Sequence, residues 1–294
     1  MLSVWLRAIR VKFLLASVIT VSLGLSLAWH SGYPIDIIHA ILTFVGVISL
    51  HASVDLLNDY WDFKRGIDTK TKRTKMSGGT GVLPEGLLTP KSVYIVGIGF
   101  LILGAIIGIY FVIIFGITIG LILGFAILSV YFYSTKIVNW GLAEVFVTIK
   151  GTLIVLGTYF IQSQTIDDFT IFAGVIVGIL SSLVLFVTSI PDHDIDKEKG
   201  RRTLIIIFGV SNAVRTFLIF PILVYGVIIY GVLTGMFPVY SLLVLFAKPF
   251  LILAILHLRD FENSENILIR SMTHTLYFSR VAGALFVISF LIGF

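Results

Sequence analysis

Two short stretches of the 294-residue chain hold seven of its sixteen acidic residues. The first reads Asp55-Leu-Leu-Asn58-Asp59-Tyr-Trp-Asp62-Phe-Lys-Arg-Gly-Ile-Asp68, and the second Asp192-His193-Asp194-Ile195-Asp196. Residues four apart on a helix share a face, so Asn58 pairs with Asp62 and Asp192 with Asp196. Asp55 and His51 extend the first face inward, whereas Asp194 points away from the second and is left a supporting role. Carboxylates clustered this closely repel one another unless a cation intervenes. Hard oxygen ligands suit Mg²⁺, which takes one or two carboxylates and completes its shell with substrate phosphates and water. Two such clusters at the mouth of a helical bundle have the chemistry to hold a diphosphate between them through bridging metal ions.

Basic residues follow both clusters: Lys64 and Arg65 after the first, and Lys197, Lys199, Arg201 and Arg202 after the second. Arg65, between Asp62 and Asp68, and Lys136, in the short loop after Tyr133, are the best placed to meet phosphate. Ser77-Gly78-Gly79-Thr80-Gly81 lacks a Gly-Lys-Ser/Thr at P-loop spacing, so it reads as a mobile loop near the acidic face rather than a nucleotide site. The six histidines contain no His-x-x-x-His pair, which argues against zinc. The chain has no cysteine, excluding disulfides, thiolate metal sites and a Cys nucleophile.

The elements that must position these groups follow from composition. Hydrophobic residues make up 57% of the chain and charged residues 13%, against roughly 25% charged in a soluble domain. With a mean hydropathy of +1.05, the chain is expected to be an all-α membrane protein, with no nucleic-acid or protein partner indicated. Windows of about 20 apolar residues predict nine transmembrane helices, at roughly 12–30, 36–58, 92–110, 112–134, 141–162, 169–190, 204–230, 238–258 and 272–294. The first is expected to be retained rather than cleaved as a signal peptide. With nine spans, 17 of the 21 Lys and Arg residues fall on the side of the amino terminus and none in the opposite loops. The positive-inside rule then predicts a multi-pass cell-membrane protein with its amino terminus cytoplasmic and its carboxyl terminus external. Both acidic clusters would face the cytoplasm. Residues 1–294 read as one transmembrane domain. Charge within a span costs about 2.5–3.5 kcal/mol on insertion scales, so Lys150, Arg215 and Lys248 are expected to snorkel, pair with an acid or line a polar cavity.

At the acidic clusters the sequence resembles the UbiA superfamily of intramembrane prenyltransferases. Asn58, Asp59, Asp62 and Asp68 match that family's first motif. Asp192 and Asp196, continued by Gly200-Arg-Arg-Thr-Leu204, match its second. The run Asn58 to Asp68, followed by Gly78-Gly-Thr-Gly-Val-Leu-Pro-Glu-Gly-Leu-Leu88, looks most like the 1,4-dihydroxy-2-naphthoate branch. The family's usual Arg-Pro-Lys near the first span reads Arg10-Val11-Lys12 here, and Ser134-Thr135 stands where many relatives have prolines.

The resemblance implies a nine-helix bundle around a central cavity open towards the cytoplasmic side and the bilayer. It further implies Mg²⁺ at Asn58, Asp62, Asp192 and Asp196, with a polyprenyl diphosphate met by Arg65, Lys136 and Lys12. Asp59, Asp68, Asp194 and Tyr133 would serve catalysis, Asp68 or Asp194 by taking up a proton. His51 and Asp55 would line the acceptor cavity. The implied reaction joins a prenyl group to an aromatic acceptor, such as 1,4-dihydroxy-2-naphthoate, in lipid-quinone (menaquinone) synthesis. Other acceptors are 4-hydroxybenzoate and a glyceryl phosphate lipid. A cation-coupled transporter is the competing class, but carriers place their coupling charges near the midplane, whereas these acids gather at one face.

Overall fold

In the computed structural model, which describes residues 1–70 and 73–292, every regular element is helical. A short helix α1 (Leu2–Ala8) precedes α2 (Val11–His30), α3 (Ile37–Lys64), α4 (Pro90–Phe115) and α5 (Ile117–Phe132). Next come α6 (Ala143–Ser163), α7 (Asp168–Thr188) and the short α8 (His193–Glu198) and α9 (Leu204–Phe208). The chain ends with α10 (Ala213–Leu233), α11 (Lys248–Arg259) and α12 (Glu265–Ile292). Local chemistry sets the starts of the long helices. The Asp36 carboxylate accepts from the His39 N–H at 2.9 Å to cap α3. Thr89 caps α4 through the Ser92 N–H at 3.2 Å, with Pro90 in the first helical turn.

Among the described residues, eight segments are long and apolar enough to cross a membrane: α2, α3, α4, α6, α7, α12, and the stretches 210–233 and 239–259 that contain α10 and α11. These make the chain a multi-pass membrane protein. The expected ninth, α5, has 16 residues, a rise of about 24 Å against a hydrocarbon core of about 30 Å.

Four expected boundaries move, two of them at a glycine with positive φ. The division between the third and fourth spans falls at Gly116 (φ 78°, ψ −156°), not at Tyr110, because glycine adopts this conformation without Cβ strain. The span expected from 204 breaks at Gly209 (φ 80°), so Arg215 lies in the first turn of α10 and is exposed. The first acidic motif is wholly helical, since α3 continues to Lys64 rather than ending near residue 58. The last span begins at Glu265, earlier than 272, and residues 293–294 lie outside the described residues.

Helix α7 is the most buried of the candidate spans. It packs so closely on α6 that a Cβ on Gly151 would lie 2.8 Å from the Cα of Gly178. Small residues let membrane helices approach in this way. The approach holds α6 firmly and fixes where Lys150, the neighbour of Gly151, enters the interior.

Candidate active site

The two acidic motifs meet because α7 stops where it does. Ser189-Ile190-Pro191 interrupts the helix, since proline has no N–H to donate and restricts the residue before it. Asp192 then becomes the N-cap of α8, and the Asp196 N–H donates to the Asp192 carbonyl at 2.9 Å. Gly200 (φ 80°) reverses the chain, and the Arg201 N–H closes back onto the Asp196 carbonyl at 2.9 Å. This reversal directs the Arg201 guanidinium between the two motifs. One of its nitrogens donates to Asp196 Oδ1 at 3.1 Å and another pairs with Asp62 Oδ1, all three side chains being nearly buried.

The remaining groups of the first motif are held from several directions. Asp62 Oδ2 accepts from Asn58 Nδ2 at 3.0 Å, and Asn58 Oδ1 accepts from the Ser134 hydroxyl at 2.7 Å. Asp59, one position round the helix, is buried and lies outside the cavity lining. It pairs with Arg10 at 2.6 Å and accepts from the Thr80 hydroxyl.

The glycine-rich loop, expected to be mobile, is tethered on both sides of the mouth. The Gly78 N–H donates to Asp192 Oδ2 at 3.0 Å, Arg7 Nε donates to the Thr80 carbonyl at 2.6 Å, and the Lys12 ammonium donates to the Lys75 carbonyl. Gly79 (φ 71°) leaves room for Asp68: a Cβ there would stand 2.6 Å from Asp68 Oδ2. Gly79→Val should therefore strain the backbone and displace Asp68, costing about 1–3 kcal/mol of stability. Thermal unfolding of the purified variant checks this, and an unchanged midpoint would refute it.

A cavity of about 1070 Å³ runs inward from this mouth. Lys12, Asn58, Asp62, Asp68, Tyr133, Asp192, Asp196 and Arg201 border it. Deeper positions carry His51 and Asp55 on α3, Lys150 on α6 and Arg280 on α12, between apolar walls such as Phe146, Ile154 and Leu185. The His51 Nδ1 lies 2.7 Å from the Ser17 hydroxyl, and its Nε2 lies 3.9 Å from Asp55 Oδ2.

Besides Asp59, three expected site residues stand outside the lining. Asp194 is 87% exposed and lies 3.1 Å from His193 Nε2. Lys136 is exposed, with its ammonium 5.0 Å from the centre of the Phe132 ring. Arg65 donates to the Ser134 carbonyl at 2.6 Å and the Lys199 carbonyl at 3.3 Å, tying α3 to two loops while its charge still acts on Asp196. Two residues with no role assigned from sequence take central positions instead, Arg201 between the motifs and Arg10 on Asp59. Arg201 sits in the Gly200-Arg-Arg-Thr-Leu204 continuation, but nothing in that run says which cation turns inward.

Electrostatically the mouth is overloaded with acid. Burial, reinforced by the charge of Asp196, pushes Asp192 up to about 7. Burial and the charges of Asp62 and Asp59 push Asp68 up to about 8. Burial opposes the charge on Arg201, but Asp62 and Asp196 outweigh it and hold its pKa above the ordinary value. Asp192 Oδ1 is buried with no hydrogen-bond partner. Among the described residues no three His, Asp or Glu side chains converge into a self-sufficient metal site. An oxygen donor set with a spare carboxylate oxygen suits a hard divalent cation whose shell a phosphate completes.

The described residues thus form an all-helical membrane protein with two facing acidic motifs at the mouth of a cavity whose inner walls are largely apolar. Residues 17–277 match the model of the UbiA prenyltransferase family, and the chain belongs to that family of intramembrane prenyl-transferring enzymes. It is 26% identical over 261 residues to the 1,4-dihydroxy-2-naphthoate octaprenyltransferase of Escherichia coli K12, covering 84% of this chain and 82% of that one. It is 28% identical over 205 residues to the Bacillus subtilis protein of the same name, covering 68% and 64%. The fold is shared with a UbiA homologue from Archaeoglobus fulgidus bound to DMAPP and Mg²⁺ (TM-score 0.63, 17% identity, 96% and 98% covered). It is also shared with the apo UbiA homologue of Aeropyrum pernix (TM-score 0.68, 16% identity, 94% and 97% covered).

Proposed function

We propose that this enzyme transfers a polyprenyl group from its allylic diphosphate to an aromatic acceptor, 1,4-dihydroxy-2-naphthoate or a close relative, in lipid-quinone (menaquinone) synthesis. The observation that carries this reading is the convergence of Asp62 and Asp196 on one cation, Arg201, at the mouth of the cavity. A position that draws acids from two distant segments onto one positive charge suits a metal–diphosphate. The names of the naphthoate octaprenyltransferase relatives support the acceptor, and the structure of the homologue with DMAPP and Mg²⁺ supports the donor.

Asn58, Asp62, Asp192 and Asp196 are the residues that would hold Mg²⁺. Bound there, it would supply Lewis-acid stabilisation of the departing diphosphate. The chain's own contributions follow from position. Arg201 and the Gly78 N–H present positive character to the diphosphate. Lys12 borders the same space, while Arg65 and Lys136 are assigned to holding the surrounding loops. The apolar walls keep water from the allylic cation, and the Tyr133 and Phe146 rings offer it π faces. Of the two candidate proton acceptors, Asp68 is buried beside the cavity and Asp194 is in solvent, so the proton released by the ring is assigned to Asp68. Asp59 acts by fixing Arg10 and Thr80. We further assign α5 as the ninth crossing, with the mouth cytoplasmic, the carboxyl terminus external, and the polyprenyl tail entering the cavity from the bilayer.

The direct test is incubation of the purified protein with Mg²⁺, labelled prenyl diphosphates, and naphthoate, hydroxybenzoate and glyceryl phosphate acceptors. A prenylated naphthoate product supports the reading, and turnover of the glyceryl phosphate alone would overturn the acceptor. Orientation is accessible because the chain has no native thiol. Cysteines introduced at exposed Lys197 and Thr234 should react only from the cytoplasmic and only from the external side, respectively. The opposite labelling would invert the assignment.

Proton linkage gives a further expectation. Metal needs the ionised carboxylates, and Asp192 is protonated below about 7. Raising the pH from 6 to 8 should therefore tighten Mg²⁺ binding about tenfold through this one group. Half-saturating Mg²⁺, measured with a non-reactive prenyl thiodiphosphate present, reads this directly. Asp192→Asn should remove that portion of the slope. An unaltered slope in the variant would exclude Asp192 as the source.

A further inference from the structure

Two cavity cations have no part in holding the diphosphate. Lys150 lies two turns inside α6 and Arg280 in the middle of α12, and both border the cavity. At the mouth, Arg10 is matched by Asp59 and Arg201 by Asp62 and Asp196. The inner pair is not. Arg280 Nη1 donates to the Ser279 hydroxyl at 3.2 Å, its Nε is buried with no hydrogen-bond partner, and among the described residues it forms no ion pair. Lys150 forms no ion pair among the described residues, and Asp55 borders the same cavity. Both side chains border the same cavity as His51 and Asp55. Among the described residues, Lys150 and Arg280 thus share that inner stretch with the Asp55 carboxylate, between walls that are otherwise largely apolar.

We propose, building on the aromatic-acceptor reading above, that Lys150 and Arg280 form an anion subsite holding the carboxylate of an aromatic-acid acceptor. The charge layout orients such a molecule. His51 is seven residues along α3 from Asn58, about 10 Å inward, close to the length of a naphthalene ring with its substituent. The acids at the mouth repel a carboxylate and the inner cations attract it. The ring is thereby held between them, where a prenyl chain reaching inward from the diphosphate presents its first carbon. An acceptor lacking the anion leaves two buried cations unpaired, and a site built for a polar group discriminates strongly against an analogue without it.

The test splits the kinetic constants. Lys150→Met and Arg280→Met should each raise the KM for 1,4-dihydroxy-2-naphthoate about 10- to 100-fold. The KM for the prenyl diphosphate should stay within about twofold. Lys150→Arg should recover most of the loss. With naphthalene-1,4-diol, which has the same ring without the carboxylate, neither Met variant should raise the KM above that of the wild type. Binding of 1,4-dihydroxy-2-naphthoate without donor, followed by fluorescence, should weaken in the same proportion, while the variants unfold at or above the wild-type temperature. An unchanged naphthoate KM in both variants, or a rise confined to the diphosphate KM, would overturn the subsite. Wild-type protein that prenylates no aromatic acid would instead overturn the acceptor reading on which it is built.

Discussion

Asp62→Ala and Asp196→Ala should each lower Mg²⁺-dependent prenyl transfer about 10³-fold, because each would remove a proposed ligand to the cation that neutralises the leaving diphosphate. Both side chains are buried at the mouth rather than in the packed bundle, and in each variant Arg201 keeps one of its two acids. The folded state should therefore survive, as thermal unfolding and gel filtration would show. The double variant should lose little more than either single one, since groups acting as a unit are strongly non-additive. A double-mutant cycle scored by prenyl thiodiphosphate affinity at fixed Mg²⁺ measures this. Two independent cation sites, as in a carrier, would give additive losses and bind cations with no diphosphate present. Near wild-type turnover at limiting Mg²⁺ in either single variant would remove the two-motif site altogether.

The second large effect belongs to Arg201. Its guanidinium and both carboxylate partners are nearly buried, and taking one member from a buried ionic group leaves uncompensated charge costing about 3–5 kcal/mol. Arg201→Ala should destabilise the metal-free protein on that scale, seen as a lowered unfolding midpoint in EDTA. Mg²⁺ with a prenyl thiodiphosphate should restore much of the loss, because the cation replaces the missing charge and binding to the native state adds stability. Turnover at saturating Mg²⁺ should remain depressed, since the diphosphate also loses a donor. Equal midpoints for wild type and variant in EDTA would mean that Arg201 does not bridge the motifs in solution.

Much of this site was legible in one dimension because its spacing is helical. Asn58 and Asp62 share a face by the arithmetic of 3.6 residues per turn, and α3 carries that face to its last turn. Asp192 and Asp196 likewise stay one turn apart, although Pro191 cuts them off from α7. The basic residues were not legible in the same way. A cation's role depends on which way a loop turns, and in the short loops of a membrane protein many basic residues serve orientation alone. Arg65 lies within the first motif and Lys136 in the loop after Tyr133, yet both stand outside the cavity lining, while Arg201, with three other cations within four residues, is the one that turns inward after Gly200.

The sequence by itself determined the solvent, the secondary structure and the chemistry. Runs of about 20 apolar residues must form helices in a bilayer, because backbone groups there have no water to bond, and clustered carboxylates need a cation wherever they lie. Only the tertiary structure decided which charges meet. Gly116 and Gly209, with positive φ angles, moved span boundaries that hydropathy averages over. The close contact of Gly151 with Gly178 locked α6 onto α7 and so carried Lys150 into the interior. Arg10 and Asp59 are 49 residues apart, and Asp62 and Arg201 139 apart. No local rule couples positions so distant; they are joined because the bundle buries both partners in one place, where charge left unmatched is costly.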